Sequence, residues 1–289
     1  LGSVEEVYLP VEALFPRETS IIDVSVLNRL NTSEDDQTLI VLAGSEEVTV
    51  RKSVLSALIS ELFLTITRPS RSVFDMADLL DFPGARTRFE KTLNDTNTVN
   101  THEFFLRGKI DYLFHKFSMS YAIDALVICV DPGPLNIREL PKALDDWLQL
   151  NEINSSPDGS KLFLALTKFD THFPKAVGSD DDEVQRFQNA IESGLIQPFA
   201  QSESSWPKNW CGNNFKNTFP IRNPNYPLEG YFKYINGVEV DVSPEKLSRI
   251  KELENGFLKA DLVRDHVGDA SDKWDDLVAV NNGGVNYLV

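Results

Sequence analysis

The 289-residue sequence predicts an α/β protein whose mostly parallel sheet is flanked by helices. Two observations predict it. From residue 73 onward, short apolar runs alternate with longer segments of helical spacing, the order left by parallel strands and the crossover helices between them. Two of those runs also stop abruptly at polar residues, Leu79-Leu-Asp81-Phe-Pro-Gly84 and Leu164-Ala-Leu-Thr167-Lys-Phe-Asp170. Strands of an open sheet end this way where they deliver side chains to its carboxyl edge, the place where such folds bind ligands.

Residues 1–72 precede the alternation and read as an N-terminal extension. Leu1-Gly-Ser3 has the look of the scar left by protease removal of an affinity tag, which places the start of natural sequence near Val4. Tyr8 to Pro16 is an irregular approach, because its prolines oppose regular structure. Ile21 to Leu27 suits a short strand or a turn of helix. Thr38–Leu42 and Glu47–Arg51 flank Ala43-Gly-Ser-Glu46 and predict a hairpin. Ser53 to Thr67 carries Val54, Leu55, Leu58, Ile59, Leu62 and Phe63 at the spacing of a helix with one buried face, stopped by Pro69.

Residues 73–289 form the α/β domain, with strands expected at Phe74–Leu80, Ala122–Val130, Lys161–Leu166 and Thr218–Ile221. Helices are expected at Asn100–Phe117, Leu140–Leu150 and Glu183–Phe199, from the periodicity of their apolar residues. Ser243-Pro-Glu-Lys246 opens another toward His266, with Ser243 as N-cap and Pro244 at the first helical position. The last helix, Asp272–Val280, runs into Asn281-Asn-Gly-Gly284. Asp180-Asp-Asp-Glu183 fits a helix start, where carboxylates complement the dipole, better than a calcium loop.

A content of 42% hydrophobic and 25% charged residues suits a packed core, and the formal charge of −16 opposes general nucleic-acid binding. No run of about eighteen apolar residues offers a membrane span. Cys129, within Leu126-Val-Ile-Cys-Val130, reads as a buried thiol, and with Cys211 it supplies neither a disulfide framework nor metal-ligand spacing. The four histidines stand near no nucleophile or metal partner at useful spacing. Trp206 and Trp210 lie among loop formers, either as a contact surface for a partner or as pins for a long loop.

The chemistry sits in the two strand-end motifs. An Asp-x-Pro-Gly step lets Asp81 hold magnesium through a water while the bare Gly84 amide approaches a terminal phosphate. In Thr167-Lys-Phe-Asp170, the Asp170 carboxylate can accept from the ring N–H and the exocyclic amine of guanine, a donor pair adenine lacks. The stem of Lys168 would cover the purine face, and Thr167 would tie the loop to neighbouring backbone. This order, with Ala122–Val130 between the two motifs, is that of a P-loop GTPase and predicts a GTPase-like core binding magnesium with GTP or GDP. Asn223, after the fourth strand, falls where a further base contact belongs. Arg86, close behind Gly84, could stabilise charge on a terminal phosphate or form a surface ion pair. No Gly-x-x-x-x-Gly-Lys-Ser/Thr loop occurs in the 289 residues.

Leu79-Leu-Asp81-Phe-Pro-Gly-Ala-Arg86-Thr-Arg88, Leu106-Arg-Gly-Lys109-Ile-Asp-Tyr-Leu-Phe114, Ser20-Ile-Ile-Asp23-Val and Asn282-Gly-Gly-Val-Asn-Tyr-Leu288 resemble the SrfC-type bacterial virulence factors. That resemblance covers almost the whole chain. It implies a P-loop GTPase-like region with its phosphate loop upstream of Val4, companion proteins of a three-component virulence-associated system, and a bacterial cytoplasmic location or delivery to a host. Two functions follow as expectations: guanine-nucleotide binding, with GTP hydrolysis confined to the intact protein, or protein interaction on a degenerate nucleotide-binding scaffold.

Overall fold

A computed structural model describes residues 7–9, 24–30, 36–62, 75, 77–81, 101–120, 122–132, 140–151, 161–174, 182–199, 205–228 and 230–288. The chain divides into two compact units, residues 1–84 with 89–114 and residues 85–88 with 115–289.

In the first unit, β1 (Thr38–Ala43) and β2 (Glu46–Arg51) pair antiparallel from Thr38↔Arg51 to Ala43↔Glu46, as the sequence predicts. Gly44 supplies the positive φ of 65° that the two-residue connection needs. Tyr8 extends the ribbon, its N–H donating to the Leu42 carbonyl at 2.9 Å. Helix α1 (Lys52–Leu58) follows at once. Its N-terminal turn is capped from before β1, because the Asp36 carboxylate accepts from the Ser53 hydroxyl at 2.6 Å and the Ser53 N–H at 3.3 Å. The helix ends at Leu58 instead of Thr67, with Ile59 already extended; Phe63 to Thr67 lie outside the described residues. Lys109, from α2 (Thr101–Met119), donates to the Ser56 and Ala57 carbonyls at 2.8 and 2.9 Å and so caps that end. Its burial lowers the ammonium pKa. Residues 77–81 are irregular and exposed, although the sequence predicts a strand at Phe74–Leu80. Asp75, Asp78 and Asp81 within seven positions disfavour a strand, and Leu79 stands three-quarters exposed.

The second unit holds a parallel sheet of β3 (Leu126–Val130), β4 (Leu162–Leu166) and β5 (Thr218–Pro220) in the order β3-β4-β5. Leu126 pairs with Leu162 and Leu164 with Thr218, each ladder running in register to the strand ends. Central β4 is buried at Leu162, Leu164, Ala165 and Leu166, the near-continuous apolar run expected of a strand covered on both faces. On β3, alternation turns Ile128 and Val130 inward and leaves Cys129 exposed, against the expectation of a buried thiol.

Helix α3 (Leu140–Leu150) buries Leu144, Trp147 and Leu148. Helix α4 (Glu183–Ile191) starts at Asp182, whose carboxylate accepts from the Gln185 N–H at 2.8 Å. It continues through a π-helical turn, Glu192–Ile196, into α5 (Gln197–Phe199). The helix expected from Ser243 to His266 comes in pieces. Pro244–Lys246 is a 3-10 turn without a side-chain cap from Ser243, whose N–H donates to the Tyr231 carbonyl at 2.9 Å; α6 (Leu247–Lys259) and α7 (Asp261–His266) follow. Extended Ala260 divides them, and the Leu262 N–H at the start of α7 donates to Gln188 of α4 at 3.0 Å. Helix α8 (Ala270–Val278) packs on β5, and α9 (Val285–Leu288) follows the Asn281–Gly284 turn. Trp206 and Trp210 are buried against Phe199 and Phe215, so they pin their loop.

A hairpin goes unpredicted, as does the short α9. Strands β6 (Phe232–Ile235) and β7 (Val238–Val242) form a hairpin around Asn236-Gly237, both at positive φ.

Candidate functional site at the carboxyl edge of the sheet

Beyond β4 the chain makes a tight loop that spreads four consecutive side chains over different surroundings. Thr167 stays with the sheet, its N–H donating to the Val130 carbonyl at 2.8 Å and its hydroxyl to the same oxygen at 3.2 Å. This is the tie to neighbouring backbone that the sequence suggests. Lys168 turns the chain with φ 55° and ψ 32°, a left-handed conformation that costs a non-glycine residue about 1–2 kcal/mol. The turn throws its side chain outward, where Nζ lies 2.9 Å from the carboxylate of Asp131, the residue after β3. Phe169 goes the other way, completely buried.

Asp170 follows on a 3-10 turn, Phe169–His172, with its carboxyl half-buried. Burial pushes its pKa up, opposed by its own backbone N–H and by Arg222, while the negative charge of Glu239 adds to the rise. His172 closes the turn, and its Nε2 is buried without a hydrogen-bond partner among the described residues. Burial, aided by Arg186 and opposed by Asp131, lowers its pKa and favours the neutral ring.

The segment after β5 runs alongside. Ile221 donates to the Leu166 carbonyl at 2.8 Å and accepts from the Phe169 N–H at 3.0 Å, so the ends of β4 and β5 are stitched together at the base of the loop. Asn223 is exposed, and its side-chain oxygen is already engaged, accepting from the Asn225 N–H at 3.0 Å. Arg222, to which the sequence assigns no diagnostic role, is buried and pairs with Glu239 of β7. Sequence order separates these partners, and only the Asn-Gly turn of the hairpin hints that β7 returns here.

Thr167, Lys168, Asp170 and Asn223 therefore lie at the carboxyl ends of adjoining strands in the second unit. Asp81 belongs to the first unit, exposed on an irregular segment, and Gly84 and Arg86 lie outside the described residues. Among the described residues, no group of three or more His, Cys, Asp or Glu side chains could hold a metal ion. No described helix is long and apolar enough to cross a membrane.

Fold and edge define the class: an α/β protein with a helix-flanked parallel sheet that presents a half-buried carboxylate and an exposed lysine at its carboxyl end. The chain belongs to a family described as "Putative bacterial virulence factor", whose model matches residues 1–289. No curated protein and no solved structure matches it.

Proposed function

We propose that this chain carries the base-recognition half of a guanine-nucleotide site, within a GTPase-like member of the SrfC type that works with companion proteins in virulence. The supporting observation is the loop Thr167-Lys168-Phe169-Asp170. Thr167 is tied to Val130, Phe169 is anchored in the core, and the two functional side chains emerge on either side. A half-buried carboxylate facing the ring N–H and the exocyclic amine of guanine forms charge-assisted hydrogen bonds, whereas against adenine it stays desolvated and unpaired. Lys168 has to leave Asp131 to cover a purine, an exposed exchange of small cost.

Phosphates are then held by something other than a Gly-x-x-x-x-Gly-Lys-Ser/Thr loop within these 289 residues. Bound magnesium would neutralise phosphate charge. Asp81, an exposed carboxylate, suits contact with it only through water.

Calorimetric titration of GDP, GTP and ATP with magnesium into the intact protein tests the reading. Guanine-selective binding that disappears in Asp170→Ala is the expected result; a folded protein that takes up neither guanine nucleotide refutes it. The second reading, a protein-interaction module on a scaffold that has lost its nucleotide, is favoured by the engagement of Lys168 with Asp131 and of Asn223 within its own turn.

A further inference from the structure

Behind the base-recognition edge, three segments converge on one buried carboxylate. Glu239 of β7 is 1% exposed, and its Oε2 accepts from Arg222 Nη2 at 3.0 Å while Oε1 takes Nη1. The rest of the guanidinium is also engaged: Nε donates to the Leu277 carbonyl at 2.7 Å, Nη2 to the Ala279 carbonyl at 3.0 Å, and the group lies 4.0 Å from the centre of the Phe232 ring. Arg222 is the residue that opens the loop carrying Asn223. The far end of that loop returns to the same carboxylate, because the Leu228 N–H donates to the Tyr234 hydroxyl at 3.0 Å and that hydroxyl donates to Glu239 Oε1 at 3.2 Å. The turn after α8 joins as well, with the Asn281 N–H on Glu239 Oε2 at 3.0 Å and Asn281 Nδ2 on the Glu239 carbonyl at 2.7 Å.

We propose that Glu239 is the positioning residue of the base-recognition edge, clamping both ends of the Asn223–Leu228 loop and, through Arg222 and the Ile221–Phe169 hydrogen bond, the turn that presents Asp170. The inference rests on the guanine reading above. A buried ion pair contributes little net stability compared with apolar residues of the same volume, so its value lies in fixing geometry. Hydrogen bonds made to both ends of one loop supply that geometry. Arg222 and Glu239 are also the charged groups whose fields reach Asp170. The clamp thus sets both where the carboxylate sits and how readily it ionises.

The test uses Tyr234→Phe and Glu239→Gln in the intact protein, with GDP and magnesium as the probe. Tyr234→Phe deletes one hydroxyl at a half-buried position, so thermal melting reports a folded protein. Amide exchange at Tyr226 and Leu228 is expected to speed up, and GDP to bind ~2- to 10-fold more weakly, the worth of one hydrogen bond. Glu239→Gln is expected to move the acid limit of GDP binding to lower pH, because the charge that favours protonated Asp170 is gone; a role confined to stability leaves that limit in place. Unchanged exchange together with unchanged GDP affinity in folded Tyr234→Phe overturns the proposal. If the parent protein binds no GDP, the guanine reading falls and the exchange rates decide alone. Faster exchange then upholds the clamp, and unaltered exchange overturns it.

Discussion

The rings of Phe169 and Phe187 stack with their centroids 5.7 Å apart and their planes 13° from parallel, and Phe257 meets both edge-on. The Thr167–Asp170 loop is thereby built around its third residue, Phe169. Phe169→Ala is expected to lower stability by about 3–5 kcal/mol, the usual cost of removing a buried phenylalanine. Urea unfolding checks it: a loss below about 1 kcal/mol means the loop takes its shape from Thr167 and the backbone bonds alone.

A second prediction concerns the price of keeping Asp170 ionised. Its folded pKa lies above the ordinary aspartate value of 3.8, chiefly because burial disfavours the charge. Between the unfolded and the raised folded value, the native state binds more protons, so stability falls as pH rises through that window and stays lowered above it. Asp170→Asn is therefore expected to melt at a higher temperature than the parent at neutral pH, with the gap closing as pH drops below the unfolded aspartate range. A variant that melts lower at pH 7 shows that the carboxylate contributes a structural bond, and points away from a reserved ligand-binding role.

Much of the second unit was legible because its strands and helices obey simple periods. Leu126–Val130 and Leu162–Leu166 are apolar runs short enough only for strands, and Leu140–Leu150 shows its buried Leu144, Trp147 and Leu148 directly in sequence. The Thr167–Asp170 loop was readable for the same reason: it interrupts an apolar run. What stayed hidden depends on contacts between distant segments. In Val238-Glu-Val-Asp-Val242 alternation points the valines inward, yet Glu239 is buried while Val238 and Val240 are about half exposed, because Arg222 recruits the carboxylate to the inner face. The hairpin itself had a local signal, Asn236-Gly237 between β-rich runs, that was open to reading from sequence. Lys109 shows the opposite case: an ordinary helix lysine until α1 offers its last carbonyls.

A third prediction follows from Lys273, buried on α8 with Nζ 3.0 Å from the Thr218 carbonyl and 3.7 Å from the centre of the Phe219 ring. Burial lowers its pKa from 10.5 to about 8, against the pull of Asp269. Between those values the unfolded chain holds the proton that the native state has released, so stability rises with pH, by at most about 1.4 kcal/mol per unit. Lys273→Met removes the titrating group and keeps the apolar stem. The stability difference between parent and variant, followed by urea unfolding from pH 7 to 10, is expected to shift in favour of the parent above pH 8. A flat difference means that the amine is hydrated and titrates normally.

The fourth prediction uses two glycines with the same backbone and different surroundings. Gly237 at φ 80° faces open space, whereas Gly283 at φ 66° lies against the segment leading from β5, where an added Cβ would collide with the Arg222 carbonyl oxygen and come within 3.1 Å of Pro224 Cδ. Both positions charge an alanine the left-handed strain of about 1–2 kcal/mol. Only at Gly283 must backbone also move, and it is the backbone whose Arg222 N–H donates to the Gly283 carbonyl at 2.9 Å. Gly283→Ala is thus expected to cost roughly 2–4 kcal/mol in urea unfolding and Gly237→Ala roughly half of that. If both substitutions cost the same, the turn after α8 yields freely and cannot brace the loop that carries Asn223.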